Sequence, residues 1–272
     1  MISRNLTLRL IIAAIFIPLL VYVFWIGGRI FVALVQLLIV LSIWEFLALG
    51  KVSTYWWQRF FLLVLGAIPP MLLAYLSGQY LGEWLLAVFF LTTLPYVFSH
   101  NLGDLGRSIA LSFFGVVYLT ASFSCLILIR LGDVVSTKAA GGWVIFLFAT
   151  IWIVDTAAYY AGVQWGSAKL SPVISPNKTI AGLIGGFAGG IVSAGIFSTI
   201  FLSEVGYAKL LLPAMIIALF GQLGDLVESI YKREAGVKDS SNLIPGHGGI
   251  LDRFDSLVFA APALYLYLKY LG

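Results

Sequence analysis

The sequence predicts an all-α, polytopic integral membrane protein with about nine transmembrane helices. Of its 272 residues, 61% are hydrophobic and 10% are charged, whereas soluble domains are typically about 45–50% apolar. The apolar residues also form runs of about 20, the length that a helix needs to cross the hydrocarbon core of a bilayer. These runs cover approximately residues 10–28, 30–49, 60–76, 81–98, 108–129, 142–162, 179–203, 208–228 and 254–271.

The first apolar run is interpreted as a retained helix. Arg4 and Arg9 precede it, as basic residues precede the apolar part of a signal peptide. The run is longer than such a peptide requires, and no small-x-small cleavage site follows it. We therefore count it as the first of the nine spans.

Lysine and arginine predict the orientation of the bundle. With nine spans, the N-terminus and the loops after helices two, four, six and eight lie on one side, which carries 11 of the 16 Lys and Arg residues. Because cytoplasmic loops are enriched in these residues, we expect this side to face the cytoplasm. The net charge of +4 follows from this asymmetry and does not indicate a nucleic-acid partner. The 11 residues are Arg4, Arg9, Lys51, Arg59, Arg107, Lys169, Lys178, Lys232, Arg233, Lys238 and Arg253.

Ionisable residues divide the chain into two parts. They are costly inside a bilayer and usually mark function. The first part has almost no charge within its spans except Glu45 and, near a span end, Glu83, whereas the second part is rich in charge. The sequence therefore predicts a lipid-facing scaffold of about five helices at 1–140 and a catalytic bundle at 141–272, with cytoplasmic loops at 163–178 and 229–253.

A polar segment before the seventh span offers a candidate phosphate site. Proline interrupts residues 171–179, which include Asn177 and Lys178 and end where a helix is predicted to begin. Exposed amides at a helix N-terminus and a lysine suit a phosphate group. Equally, Asn177 or Thr179 would serve as a plain helix cap. The glycines that follow have the small-xxx-small spacing typical of close helix packing: Gly182, Gly185, Gly186, Gly189 and Gly190.

The last two spans carry candidate metal ligands. Spacings of four and three place Asp225, Ser229 and Lys232 on one face of the eighth helix. Asp252 and Asp255 point in a common direction at the start of the ninth helix. Carboxylates that meet at one depth repel each other unless a cation lies between them, and oxygen ligands favour Mg²⁺ over zinc. The alternative is that Asp252 and Asp255 cap the ninth helix and pair with nearby Lys and Arg side chains.

Cations and glycines accompany these carboxylates. Together they match the needs of phosphoryl or nucleotidyl transfer, in which positioning and charge neutralisation supply most of the catalysis. His247 is either a phosphate donor or proton carrier, or a structural residue whose ring binds backbone carbonyls. The cations are Lys232, Arg233, Lys238 and Arg253, and the glycine loop is Pro245, Gly246, His247, Gly248 and Gly249.

The charged segments form a long signature. It reads Ser229-x-x-Lys232-Arg233, then Lys238-Asp239, then Pro245-Gly246-His247-Gly248-Gly249-x-x-Asp252-Arg253-x-Asp255. Upstream are Asp155-Thr156, Gly162, Gly166, Lys169-Leu170 and Ser175-Pro176-x-Lys178-Thr179 with Gly182. This pattern, over about residues 150–270, resembles that of the phosphatidate cytidylyltransferases, also called CDP-diacylglycerol synthases. The chain departs from it at Ile180 and Ala181, where many members carry Trp followed by Glu or Gln.

The resemblance implies that CTP and phosphatidate react to give CDP-diacylglycerol and pyrophosphate. It implies a requirement for Mg²⁺, as one or two ions, with a second ion of another type also compatible. Asp225, Asp252 and Asp255 are expected to hold the metal, and Lys232 and Arg233 to act with them in catalysis. The expected substrate-binding residues are Lys178, Ser229, Lys238, Asp239, His247, Arg253, Asp155 and Asn177.

The two substrates predict the shape and location of the site. CTP arrives from water and the lipid from the bilayer, so we expect a polar funnel, walled by helices six to nine, that opens to the cytoplasm and laterally to the membrane. A bacterial inner membrane is the expected location. The oligomeric state is left open, with a homodimer among the candidates.

Two other functions use similar parts. An enzyme that phosphorylates a lipid alcohol with CTP would release CDP and would need a general base for the acceptor hydroxyl. A transporter would also carry buried carboxylates and broken helices, but paired features are expected in its two halves. This chain concentrates them in one half.

Overall fold

The computed structural model describes residues 17–52, 54–97, 103–132, 134–243 and 248–272. These ranges contain nine helices and confirm the predicted all-α membrane fold. Six of the helices, α2, α3, α5, α6, α7 and α8, are long and apolar enough to cross a membrane. The helices are α1 (Ile17–Ile26), α2 (Gly28–Leu49), α3 (Trp56–Leu76), α4 (Leu81–Val97), α5 (Leu105–Leu131), α6 (Thr137–Trp165), α7 (Ile180–Phe197), α8 (Tyr207–Ala235) and α9 (Leu251–Tyr270).

A short hairpin between α6 and α7 was not predicted. Strands β1 (Lys169–Ser171) and β2 (Ser175–Thr179) pair antiparallel where the polar loop was expected at 163–178, and β2 ends one residue beyond it. The hairpin leads directly into α7, and the amide of Gly182 donates a hydrogen bond to Thr179 Oγ1 over 3.0 Å. Thr179 is therefore the helix cap, as one of the two interpretations of this segment predicted, while Asn177 is exposed.

The glycines of α7 allow close packing against α6 and α8. A Cβ atom on Gly189 would lie 2.9 Å from Ala157 Cβ and 3.1 Å from the Ile153 carbonyl of α6. On another face of α7, a Cβ on Gly190 would lie 3.1 Å from the Ala214 carbonyl of α8. The prediction of close helix packing is confirmed, and this packing holds the middle of α7 against α6 and α8.

Replacing Gly189 with valine is expected to lower the apparent melting temperature of the detergent-solubilised protein. Overpacking typically costs about 1–3 kcal/mol, because the added carbons must push α7 away from α6. Gly195→Val, in the same helix, is a matched control, since a Cβ there would be 4.0 Å from its nearest neighbour, Tyr207. Equal melting temperatures for the two variants would contradict this account of the packing.

The predicted scaffold and catalytic parts pack into one bundle. A single cluster of buried apolar side chains extends from Phe24 in α1 to Leu264 in α9. The end of α2, the start of α5, the hairpin, the C-terminal half of α8 and the start of α9 meet at one end of this bundle. Contacts from Arg107 to Glu234, from Lys178 to Asp225 and from Glu45 to Leu251 connect them. The candidate site lies at this end.

Candidate active site

Lys232 joins α8 to α9 through two ion pairs. Its Nζ lies 2.7 Å from Glu228 Oε2, one turn earlier on α8, and 2.8 Å from Asp252 Oδ1 in the first turn of α9. All three side chains are largely buried, and that of Asp252 is 4% exposed. Buried charges are tolerated when they are paired and hydrogen-bonded in this way. The cluster therefore fixes the relative positions of the two helices.

Asp252 also organises the chain that precedes α9. Its Oδ2 accepts hydrogen bonds from the Ser240 amide (2.7 Å), the Ser240 hydroxyl (2.8 Å) and the Gly249 amide (2.9 Å). Burial alone would raise the pKa of Asp252, but the hydrogen bonds from Lys232, Gly249 and Ser240 outweigh it and hold the pKa below its ordinary value. Asp252 is thus a carboxylate at neutral pH.

A second ion pair is more accessible. Lys178 Nζ, at the end of β2, lies 2.7 Å from Asp225 Oδ2 and 3.3 Å from the Gln222 carbonyl. The Asp225 and Lys178 side chains are 34% and 22% exposed, so a ligand can reach both. Ser229, one turn later on α8, makes a long 3.4 Å hydrogen bond to Asp225 Oδ1. Lys178, expected as a phosphate ligand, is therefore held beside an expected metal ligand.

Asp155 and Asp255 add negative charge next to this pair. Asp155 on α6 is within electrostatic range of Asp225, Asp255 and Lys178. Asp255 on α9 is within electrostatic range of Asp225 and Glu228. The site thus sets five carboxyl groups, those of Asp155, Asp225, Glu228, Asp252 and Asp255, against the ammonium groups of Lys178 and Lys232. Such an excess of carboxyl groups favours binding of a proton or a cation.

The expected meeting of Asp225, Asp252 and Asp255 at one point is not found. Among the described residues, no three His, Cys, Asp or Glu side chains lie together as a potential metal site. The physical reason lies in Asp252, because both of its oxygens are already engaged by Lys232 and by the chain around Ser240. In this structure Asp252 pairs with Lys232, as the alternative interpretation predicts, and it accepts a hydrogen bond from the Gly249 amide just before α9.

Two glycines of the signature are explained by close contacts with carboxylates. Gly248 has a φ of +82°, and a Cβ there would lie 2.9 Å from Asp252 Oδ2. A Cβ on Gly249 would press on the Ser240 hydroxyl and lie 2.6 Å from both carboxylate oxygens of Glu45. These positions thus need glycine for the packing of the chain itself. Residues 244–247, including His247, lie outside the described residues.

The remaining predicted residues lie at the exposed rim. Arg233 Nε donates to the Ile174 carbonyl over 3.1 Å and so ties the end of α8 to the turn of the hairpin. Exposure leaves these side chains accessible to a ligand from solution, but the structure does not assign them to one. The exposed residues are Asn177, Arg233, Lys238, Asp239 and Arg253.

Sequence reasoning gave no role to Glu45, Glu228 or Ser240. Glu228 could have been found from its spacing of four before Lys232, which favours an ion pair on a helix. Glu45 carried a signal too, as a lone carboxylate within an apolar span. Ser240 offered no signal, because its role depends on the folded position of Asp252.

Comparison with known proteins identifies relatives along almost the whole chain. Residues 7–271 match the cytidylyltransferase family. A phosphatidate cytidylyltransferase of Staphylococcus epidermidis strain RP62A is 36% identical over 273 residues, covering 96% of this chain and 97% of the relative. The Staphylococcus aureus (strain COL) enzyme of that name is 36% identical over 275 residues, with the same coverage. A third, from Bacillus subtilis, is 48% identical over 126 residues, covering 46% of this chain and 47% of the relative.

Proposed function

The chain belongs to the cytidylyltransferase family, and from that premise we propose that it is a phosphatidate cytidylyltransferase. It would transfer the cytidine monophosphate unit of CTP to phosphatidate, giving CDP-diacylglycerol and pyrophosphate. The observation that carries the proposal is the accessible Lys178–Asp225 pair, set among further carboxyl groups where the loops of an apolar bundle gather. A nucleotide and a lipid can meet at such a place, at the boundary between water and bilayer.

The chemistry requires charge neutralisation more than proton transfer. A phosphate oxygen of phosphatidate attacks the α-phosphorus of CTP, the bond from that phosphorus to the bridging oxygen breaks, and pyrophosphate leaves. No strong general base is needed, because the second pKa of a phosphate monoester is about 6 and the nucleophile is ionised at neutral pH. Lys178, with the exposed Arg233, Lys238 and Arg253, would bind phosphate oxygens, and each ammonium or guanidinium offers charge-assisted hydrogen bonds.

The donor set suits a hard divalent cation such as Mg²⁺. Carboxylate oxygens are its preferred protein ligands, and the excess of carboxyl groups over ammonium groups supports a cation at this place. Asp225 and Asp255 are the ligands we propose, with Asp252 joining only if it gives up a present hydrogen bond. When bound, Mg²⁺ would neutralise phosphate oxygens of the nucleotide.

The site is proposed to face the cytoplasm of a bacterial cell. The protein is an integral membrane protein by its apolar helices, and the relatives above are bacterial. The ends of α2, α6 and α8 that meet at the site belong to the lysine- and arginine-rich side of the chain. CTP would therefore reach the site directly from the cytoplasm.

The test is transfer of label from nucleotide to lipid. Purified protein is incubated with phosphatidate, Mg²⁺ and CTP labelled at its α-phosphate. We expect labelled lipid and pyrophosphate in equal amounts, and both should disappear when the divalent ion is chelated with EDTA. Release of CDP in place of pyrophosphate would favour a lipid kinase, and a lipid that stays unlabelled would overturn the proposal.

A further inference from the structure

Glu45 is a buried carboxylate in the part of the chain expected to be scaffold. It lies near the end of α2, and its side chain is 0% exposed. Burying a carboxylate is costly unless other groups replace its water. Its described contacts contain no lysine or arginine, so the compensation comes from hydrogen bonds.

Four donors surround the Glu45 carboxylate, and all of them come from the chain next to Asp252. Oε1 accepts hydrogen bonds from the Ser241 hydroxyl (2.6 Å) and the Ile250 amide (2.9 Å). Oε2 accepts them from the Leu251 amide (2.7 Å) and from the Ser240 hydroxyl (3.1 Å). Ile250 is the N-cap residue of α9 and Leu251 is the first residue of the helix. The side chain of Ile250 makes no capping hydrogen bond. Glu45 thus caps α9 from another helix, where a negative charge also suits the helix dipole.

The same contacts lead to the active-site cluster. The Ser240 hydroxyl lies between Glu45 Oε2 and Asp252 Oδ2, at 3.1 and 2.8 Å, and donates its one proton to either carboxylate at a time. Asp252 in turn holds Lys232. Gly249 passes so close to Glu45 that a methyl group would not fit. A change at Glu45 is therefore transmitted to Asp252 through one serine and through the first turn of α9.

We propose that Glu45 is a positioning residue for the transfer reaction. It ties the segments 240–241 and 249–251 to α2 and thereby holds Asp252 and Lys232 in the site. This inference rests on the proposed function. It gives the N-terminal helices a part in catalysis, because the start of α9 is held from α2.

The first test is amide exchange, which does not depend on activity. In Glu45→Gln, a side-chain NH₂ group replaces one acceptor oxygen, so either Ile250 or Leu251 loses its hydrogen-bond partner. We expect hydrogen–deuterium exchange in peptides that contain these amides to become at least about tenfold faster, since a tenfold change corresponds to only about 1.4 kcal/mol of local opening. Glu83→Gln, an exposed glutamate in α4, makes the same chemical change elsewhere and should leave this exchange unaltered.

The second test is turnover of the folded protein. Loss of a supporting partner typically costs about 10–100-fold in activity, and we expect Glu45→Gln to fall in that range well below its melting temperature. Glu45→Asp keeps the carboxylate and should recover part of the rate. A merely structural role would lower the melting temperature but leave the activity of the folded fraction intact, and that result, or unchanged exchange at 250–251, would overturn the inference.

Further variants keep the inference testable if Glu45→Gln does not fold. Ser241→Ala removes one donor, and Gly249→Ala places a methyl group against the Glu45 carboxylate. Both should raise the exchange rate and lower turnover, and wild-type behaviour of both would overturn the role of Glu45. If the wild-type protein transfers no label to lipid, the proposed function has failed, and the exchange experiment still decides whether Glu45 holds the start of α9.

Discussion

Replacing Asp225 with asparagine is expected to lower turnover by about 1,000-fold, the upper range for loss of one group that stabilises developing charge. Asp225 is a proposed metal ligand, it pairs with Lys178, and its side chain is 34% exposed. Asparagine has the same shape but no negative charge, so the site would lose its accessible anion while the fold is kept. Initial rates of labelled lipid formation, measured at saturating CTP and phosphatidate, test the prediction.

A matched control separates charge at the site from charge at this end of the protein. Asp104, at the start of α5, is an exposed aspartate with no side-chain capping bond, and Asp104→Asn should keep near wild-type rates. Both variants should show wild-type melting temperatures. A rate for Asp225→Asn above about a tenth of wild type would remove Asp225 from the reacting centre, because that loss equals only about 1.4 kcal/mol of barrier.

The apolar runs predicted most of the fold, whereas the hairpin could not be predicted. The run at 108–129 lies within α5 (Leu105–Leu131), since about 20 apolar residues in sequence have few folds other than a spanning helix. The hairpin strands have three and five residues. Their pairing depends on the turn between them and on contacts such as that from Arg233 to Ile174. Neither strand has the alternating apolar pattern that would predict a strand from the sequence.

For the site, the sequence predicted which charged residues take part better than it predicted which residues they pair with. The signature correctly drew attention to Lys232 and Asp252, which form an ion pair. It did not indicate that Lys178 pairs with Asp225, because that contact joins two segments that only the packing of α7 against α8 brings together. The metal-ligand role of Asp252 stays a prediction, while in the structure its oxygens hold Lys232 and the chain around Ser240.

Glu45 shows how a single-sequence argument can undervalue a residue. The charge-poor character of residues 1–140 predicts a scaffold, and one carboxylate within it carries little weight beside the cluster after residue 225. A lone buried charge, however, requires a dedicated set of partners, and these had to come from a polar segment elsewhere in the chain. The only long polar segments were the two loops of the catalytic part.

Replacing Lys232 with methionine is expected to be the most destabilising change at the site. Lys232 bridges Glu228 and Asp252, and its removal leaves two buried carboxylates without their cation. Breaking a buried pair by removing one partner costs about 3–5 kcal/mol, and the free energy of unfolding in mixed micelles should fall by that amount. Turnover should also be lost, since Asp252 would no longer be fixed between α8 and α9.

A second substitution distinguishes the two effects of Lys232. In the Lys232→Met/Glu228→Gln double variant one unpaired carboxylate is gone, so at least half of the lost stability should return, whereas turnover should stay low because nothing holds Asp252 Oδ1. Lys209→Met, at the exposed start of the same helix, should change stability by no more than about 0.5 kcal/mol. If turnover recovers together with stability in the double variant, Lys232 serves only to neutralise Glu228. If Lys232→Met is as stable as Lys209→Met, the buried cluster does not hold α8 to α9.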